Sequence, residues 1–429
     1  MSALASLTKT FGGQISGSDK KGTTGDHICD AFSVKSGQNV KALINSDIVV
    51  YSLAVPENDP ELLLAKRLDK QIYSRSEFLG ILASFFQSVI AVSGAHGKST
   101  VVCMLAQIFL ENKLEFTCHI GAIDGLLRSN CHFGGNKYFL TEACEYKKGF
   151  LSLSPSIAVI TTVDYDHPDA YKDMTELNSG FKAFAKKSDL LVVSSKDKSL
   201  FSDLNKETVI LDTDEILKTG KLFGSVSFVS PSASTEKKLS PLALRYFCFK
   251  KAPKHNVINA AFAYVTALLT GASPVSTQNA LSAFCPVQRR YEKIGYINDC
   301  LTIADYAHHP NQIKAVIQDA KDEYPNKNIT VVFEPHTYSR TKALLNDFST
   351  CFSGADRIIV LPTYPARETP EMGVDAKVLF DNIINVKQKL YLPADYKSVY
   401  EELTRILSKN DLCLLLGAGD VYKIKNYFN

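Results

Sequence analysis

The chain has 429 residues, a formal net charge of +3, 45% hydrophobic residues and 22% charged ones. That length exceeds one core of ordinary size, and the mixture is that of a globular protein of two or three domains. The near balance of charge, with no dense basic run, argues against a nucleic-acid partner, and no run of about 18 apolar residues offers insertion into a membrane. The ten cysteines are scattered without a C-x-x-C pair, so zinc-knuckle and redox motifs are not expected; buried small hydrophobes in a reducing cytosol are. No apolar signal core follows a basic start, and a cytoplasmic location is the expectation.

In chain order, short β-rich runs alternate with helical patterns, which predicts an α/β fold with mostly parallel sheets. Gln14-Ile15-Ser16-Gly17-Ser18-Asp19 reads as a strand ending in a turn, and Asp47-Ile48-Val49-Val50-Tyr51-Ser52 as a buried strand. Pro60 is placed to open a helix through Glu61-Leu62-Leu63-Leu64-Ala65, because the first helical position needs no N–H. A second unit begins near Ser88 with the apolar strand Val89-Ile90-Ala91-Val92-Ser93, then strands at Ser156 to Thr162 and Asp189 to Ser194. Pro286 is a plausible hinge into a third unit with strands at Ile329 to Phe333, Arg357 to Leu361 and Leu412 to Gly417. No internal repeat or low-complexity tract occurs.

Ser93-Gly94-Ala95-His96-Gly97-Lys98-Ser99-Thr100 lies between a strand and the apolar helix beginning Val101-Val102-Cys103. Strand, glycine turn, Lys-Ser and helix is an arrangement that cradles phosphate. Backbone N–H groups face the anion, Lys98 adds a point charge, and the Ser99 hydroxyl can reach Mg²⁺. Val92 stands where the full phosphate-loop pattern has its first glycine, so a plain glycine turn with a solvated lysine is the competing reading. Thr141-Glu142-Ala143-Cys144-Glu145 and Asp164-Tyr165-Asp166-His167-Pro168-Asp169 follow further strands. Glu142 and His167 are expected to point into the same cleft as Lys98, where a hard cation needs oxygen ligands. Taken singly, each is as readily a cap or a structural histidine. In the third unit, Asp305-Tyr306-Ala307-His308-His309-Pro310 and Glu334-Pro335-His336-Thr337-Tyr338-Ser339-Arg340-Thr341 follow strands. Their spacing matches no zinc pattern; donors for an anionic substrate or packing histidines are the two readings.

Together these segments resemble the Mur ligases, with His255-Asn256-Val257-Ile258-Asn259-Ala260 and Arg289-Arg290-Tyr291 adding to the match over nearly the whole chain. The forms E-A-C-E-Y and D-H-P-D are most similar to those of the alanine-adding branch in Firmicutes. The resemblance implies three domains: a UDP-sugar domain at 1–87, a central P-loop domain at 88–286 and a Rossmann-like ligase domain at 287–429 that closes over both. It further implies ATP and Mg²⁺ as cofactors, UDP-N-acetylmuramate and L-alanine as substrates, and a place in peptidoglycan precursor synthesis. Carried over by position, Gly94, His96, Gly97, Lys98, Ser99 and Thr100 hold the phosphates. Ser99, Glu142 and His167 correspond to the metal site. His255, Asn256 and Asn259 receive the adenine, with Arg289, Arg290 and Asp305 also on the nucleotide side. His308, His309, His336 and Arg340 match the closing domain's share, so Lys98, His167, His308, His336 and Arg340 are the expected catalytic groups.

Two departures from the family pattern stand out. Met1-Ser2-Ala3-Leu4-Ala5 looks like the segment after the family's first strand and glycine-rich loop, so a truncated, Rossmann-like sugar domain is expected, with an unpaired sheet edge or gap. Lys182 lies at an offset from His167 where several relatives carry a carbamylated lysine; in its helical surroundings an ordinary solvated lysine is the expectation. A ligase that recycles murein tripeptide, or a nucleotide-binding relative without catalysis, are the alternatives. Oligomeric state is not legible.

Overall fold

The most apolar short runs of the sequence become the inner strands of two largely parallel sheets. The computed structural model describes residues 1–19, 33–165, 170–249, 253–366, 368–393 and 395–428. They form two compact units: Met1–Asp164, Thr175–Phe249 and Ile258–Cys285 make the first, and Tyr165–Met174, Lys250–Val257 and Pro286–Asn429 the second. Among the described residues no helix is long and apolar enough to cross a membrane, and nine cysteines are free.

In the first unit, the described residues among 1–83 carry four short strands in two separate parallel pairs, Ser16–Asp19 with Ser33–Ser36 and Ile48–Tyr51 with Gln71–Ser74. The expected strand at Gln14 to Asp19 is therefore present, but it does not join the one at Ile48–Tyr51 in a continuous sheet. Pro60 does open the helix Pro60–Arg67, where the Asp59 carboxylate accepts from Glu61 N at 2.9 Å. Helix Arg75–Ala83 starts with a reciprocal Ser74–Glu77 capping box, which satisfies two backbone donors at once.

The rest of the first unit is built on an eight-stranded sheet. Its strands run, edge to edge, Val226–Val229, Glu207–Leu211, Leu190–Ser194, Ile157–Ile160, Ser88–Ser93, Tyr138–Glu142, Phe116–His119 and Cys131–Phe133. Only the two outermost pairings are antiparallel. Ser88–Ser93 sits inside this sheet and is buried from Val89 onward, as a strand covered on both faces must be. It feeds directly into helix Lys98–Glu111, whose residues Ser99 to Phe109 are all buried and which packs against helix Pro274–Ser282.

The second unit has a six-stranded sheet in the order Glu292–Ile297, Cys300–Asp305, Asp411–Leu416, Asn328–Phe333, Arg357–Val360 and Gln388–Tyr391. Alternation along Asp411–Leu416 divides its core. Leu412, Leu414 and Leu416 pack with Ile313, Val316 and Phe348 on one face, whereas Cys413 and Leu415 pack with Val399, Leu403 and Ile424 on the other. This is the period-two pattern of a strand covered by helices on both sides. The last strand in sequence is inserted between two that precede it, so the carboxyl ends of Cys300–Asp305 and Asn328–Phe333 flank it.

Candidate nucleotide-binding site

The glycine turn after Ser88–Ser93 is shaped by two residues that tolerate no side chain. Gly94 has φ +127° and Gly97 φ +85°, backbone regions that L-residues rarely adopt. A Cβ on Gly94 would stand 2.3 Å from Thr161 Oγ1, and one on Gly97 would stand 2.4 Å from Asn259 Oδ1. The Thr161 hydroxyl donates to the His96 carbonyl, and His96 Nε2 faces Asp164 Oδ2 at 3.6 Å. Gly97 caps the helix that follows, so the first-turn N–H groups and the positive end of its dipole are directed at the turn. Ser99 and Thr100 lie in that first turn and are buried.

Lys98 is folded back under the turn. Its Nζ donates to the Gly94 carbonyl at 2.6 Å and to both oxygens of Glu145 at 3.0 Å. Burial works to strip its proton, but Glu145, with Cys144 and Glu142 behind it, outweighs burial, and the ammonium is pushed up to about 12. The Cys144 thiol is itself pushed up to about 11 by burial and by Glu145, which leaves it a poor nucleophile at neutral pH.

The acid in contact with Lys98 is thus Glu145, only 2% exposed, which the sequence reading passed over in favour of Glu142. Glu142 ends its strand with Oε1 accepting from Gly121 N at 2.7 Å. The chain then turns, and the residue three positions on returns to the phosphate loop. The E-x-x-E spacing was the available signal, because a single turn separates the two carboxylates. His167, with Asp166, Pro168 and Asp169, lies outside the described residues. Lys182 forms an ion pair with Asp203 at 3.1 Å on a half-exposed surface.

The three expected adenine-side residues are divided between the units. Asn259, in the first unit, is buried against Gly97. His255 and Asn256 belong to the second, where His255 Nδ1 is 2.5 Å from Asp319 Oδ2. That carboxylate also accepts from Lys254 N.

In the second unit, strand ends bring His308, His336 and Arg340 together. The two imidazoles lie 6.0 Å apart between centroids, and Arg340 Nη1 is 3.2 Å from His336 Nδ1. His336 stacks on Tyr364, and Thr337 takes φ +68° as the chain turns into helix Tyr338–Ala343. His309 instead caps helix Pro310–Glu323 through a box with Gln312. Asp305 is buried with both oxygens engaged, accepting from Tyr291 N and Ala307 N at 2.7 Å each. Arg289 donates to the Gly417 and Gly419 carbonyls at 2.9 and 2.7 Å and lies over the Tyr306 and Tyr422 rings. Arg290 also lies over Tyr306. Arg289 and Asp305 thereby hold the loops at the carboxyl edge of this sheet, while His308, His336 and Arg340 present nitrogen donors suited to an oxyanion.

The Mur ligase middle domain family matches residues 92–267, and the Mur ligase glutamate ligase domain family matches residues 289–419. The UDP-N-acetylmuramate–L-alanine ligase of Clostridium kluyveri is 35% identical over 99% of this chain and 94% of its own length. The chain belongs to the Mur ligases. Among solved Mur ligases, the UDP-N-acetylmuramate-alanine ligase of Thermotoga maritima matches with a TM-score of 0.77 at 22% identity, covering 100% of this chain and 95% of its own. A murein peptide ligase of Psychrobacter arcticus matches with a TM-score of 0.66 at 18% identity, over 99% and 94%. The two domain families thus take in Lys98, Glu142 and Glu145 on one side and Asp305, His308, His336 and Arg340 on the other.

Proposed function

We propose that this Mur ligase joins L-alanine to the lactyl carboxylate of UDP-N-acetylmuramate at the expense of ATP, in peptidoglycan precursor synthesis. The observation that carries the phosphate-transfer half is the buried Lys98–Glu145 pair beneath a glycine turn at the carboxyl edge of a parallel sheet. Likeness to alanine-adding relatives over 94% of their length supports the choice of substrates. The three-domain division at 1–87, 88–286 and 287–429 belongs to the same reading, as does action in the cytoplasm.

The chemistry follows from charge. A carboxylate oxygen of the lactyl group attacks the γ-phosphorus of ATP, the bond to the β-phosphate oxygen breaks, and ADP leaves. The uncharged amine of L-alanine then attacks the acyl carbon, phosphate departs, and the amine's proton is released. An anion approaching an anion is opposed electrostatically, so the site must neutralise crowded oxygens and hold them in line. Lys98 supplies one such charge once its contact with Glu145 loosens, and the amides around Gly97 supply dipoles. His308, His336 and Arg340 offer further nitrogen donors suited to an oxyanion. No protein nucleophile is required. Ser99 and Glu142, both oxygen donors, are of the type that would hold a hard divalent cation such as Mg²⁺, with His167 as a further candidate. Such an ion would offset phosphate charge when bound.

Incubating the chain with UDP-N-acetylmuramate, ATP and either L-alanine or murein tripeptide decides the amine. ADP formation that requires the sugar nucleotide and L-alanine together is the expected result. Turnover only with tripeptide would move the chain to the recycling branch, and nucleotide binding without any turnover to a non-catalytic role.

A further inference from the structure

Arg75 opens helix Arg75–Ala83, and among the described residues it has no carboxylate partner. Its Nη2 instead lies 3.2 Å from Nε2 of His119. His119 is 1% exposed, and its Nδ1 lies 3.2 Å from Thr141 Oγ1. The Thr141 hydroxyl in turn donates to the Glu142 carbonyl. Only one arrangement of protons satisfies all three contacts. Thr141 spends its hydrogen on Glu142, so His119 must donate from Nδ1; its Nε2 then carries a lone pair and accepts from Arg75. A neutral imidazole is required, and burial together with the neighbouring guanidinium holds His119 down to about 3.

A guanidinium aimed by a neutral acceptor keeps its full charge uncompensated, whereas a carboxylate partner would have cancelled it. Its remaining N–H groups form a fork suited to an oxyanion. His119 ends strand Phe116–His119, which pairs with Tyr138–Glu142, which pairs with the phosphate-loop strand. Two strand spacings, about 10 Å, separate it from the turn that holds Lys98. That separation suits the second anionic substrate better than the phosphates on Lys98.

We propose, resting on the ligase reading above, that Arg75 receives an oxyanion of the sugar nucleotide, either its diphosphate or its lactyl carboxylate, and that His119 and Thr141 are the positioning residues that aim it. In the competing view Arg75 merely ties its helix to the sheet, which would alter stability and leave ligand affinity alone.

Calorimetric titration of the full chain with UDP-N-acetylmuramate and UDP-N-acetylglucosamine, which lacks the lactyl carboxylate, separates these views. Arg75→Gln is expected to weaken UDP-N-acetylmuramate about ten- to hundredfold, the cost of a lost charged hydrogen bond, with KM for ATP unchanged. Equal loss for both ligands assigns the diphosphate; loss confined to UDP-N-acetylmuramate assigns the carboxylate. Wild-type affinity for both in folded Arg75→Gln overturns the proposal. Should that variant not fold, Arg75→Lys takes its place, since a point charge lacking the fork should still lose several-fold; undiminished affinity again overturns it. His119→Phe should lower the same affinity and His119→Asn, which restores an acceptor, should recover part of it. Equal affinities in those two variants remove His119 from the role. A wild-type chain that binds neither sugar nucleotide overturns the ligase reading itself.

Discussion

Lys98 and Glu145 form a nearly buried ion pair in which one ammonium bridges both carboxylate oxygens at 3.0 Å. On the proposed reading, the charge that would meet a triphosphate is held beforehand by the protein's own acid. Nucleotide binding would then exchange one anion for another at Nζ, keeping the lysine charged and positioned in both states.

Lys98→Ala is expected to abolish ligation and also to cost stability, because it strips the counter-charge from a carboxylate with almost no access to water. Breaking one side of such a pair costs up to about 3–5 kcal/mol. The double variant Lys98→Ala/Glu145→Gln should regain much of that stability while staying inactive. Denaturant unfolding beside an ADP-release assay checks both points; full stability in the single variant would mean that Glu145 is held by other groups.

Gly97→Ala should impair nucleotide binding and stability together. The new methyl would meet Asn259 Oδ1 at 2.4 Å in a backbone region at φ +85°. Adding Asn259→Ala removes the collision and leaves the backbone strain, of order 1–2 kcal/mol. A partial rescue of the melting temperature by the second substitution is the expected reading.

Gln107 ties the phosphate-loop helix to the end of the first unit. It accepts from Cys285 N at 3.0 Å, donates to Cys285 O at 2.9 Å, and gives its other hydrogen to buried Asp124 at 3.0 Å. Gln107→Leu leaves buried Asp124 and the half-buried Cys285 backbone without this partner, at a cost of up to about 1–3 kcal/mol for a buried polar group left unsatisfied. Faster hydrogen exchange at the Cys285 amide, with Asp124 still capping its turn, is the local signature. An unchanged exchange rate would show that the Cys285 segment needs no such anchor.

His119 makes stability depend on pH in a defined direction. Its folded value is lowered to about 3, below the ordinary value near 6.5 of an unfolded chain. Between these limits the unfolded state binds a proton that the folded state refuses, so stability falls as pH drops through that window. Asp197 acts oppositely: burial raises its carboxyl to about 6, so the folded state gains relative stability on acidification toward the ordinary carboxylate range. The clean comparison is wild type against His119→Asn, in which Asp197 is common to both. The variant's unfolding free energy should decline less steeply between about pH 6.5 and 3, and parallel curves would show that His119 titrates normally.

Much of the fold was legible because it is written in local pattern. Val89 to Ser93 and Leu412 to Leu416 are apolar runs too short for helices and bounded by glycine, and both became inner strands. Asp59-Pro60 marked a helix start through a cap and a missing donor. Edge strands such as Cys131–Phe133 and Val226–Val229 escaped notice, since they are short, partly exposed and defined by their neighbour rather than by their own residues. Of the described strands in residues 1–83, those at Gln71–Ser74 and Ser33–Ser36 were not read from the sequence, and the four pair in twos; which strands meet is a long-range matter that composition does not encode.

The sequence by itself determined that a strand, a glycine turn and a lysine-led helix would meet at one point, because those geometries follow from a few consecutive residues. It also carried the family resemblance, through motifs preserved in order. Only the tertiary structure decided that Glu145 rather than Glu142 touches Lys98, that Gln107 holds a backbone 178 residues away, and that Arg75 is aimed by a histidine. Contacts of that kind depend on how turns and crossovers bring distant segments into one solvent-poor space, where each polar group must find whichever partner the packing leaves within reach.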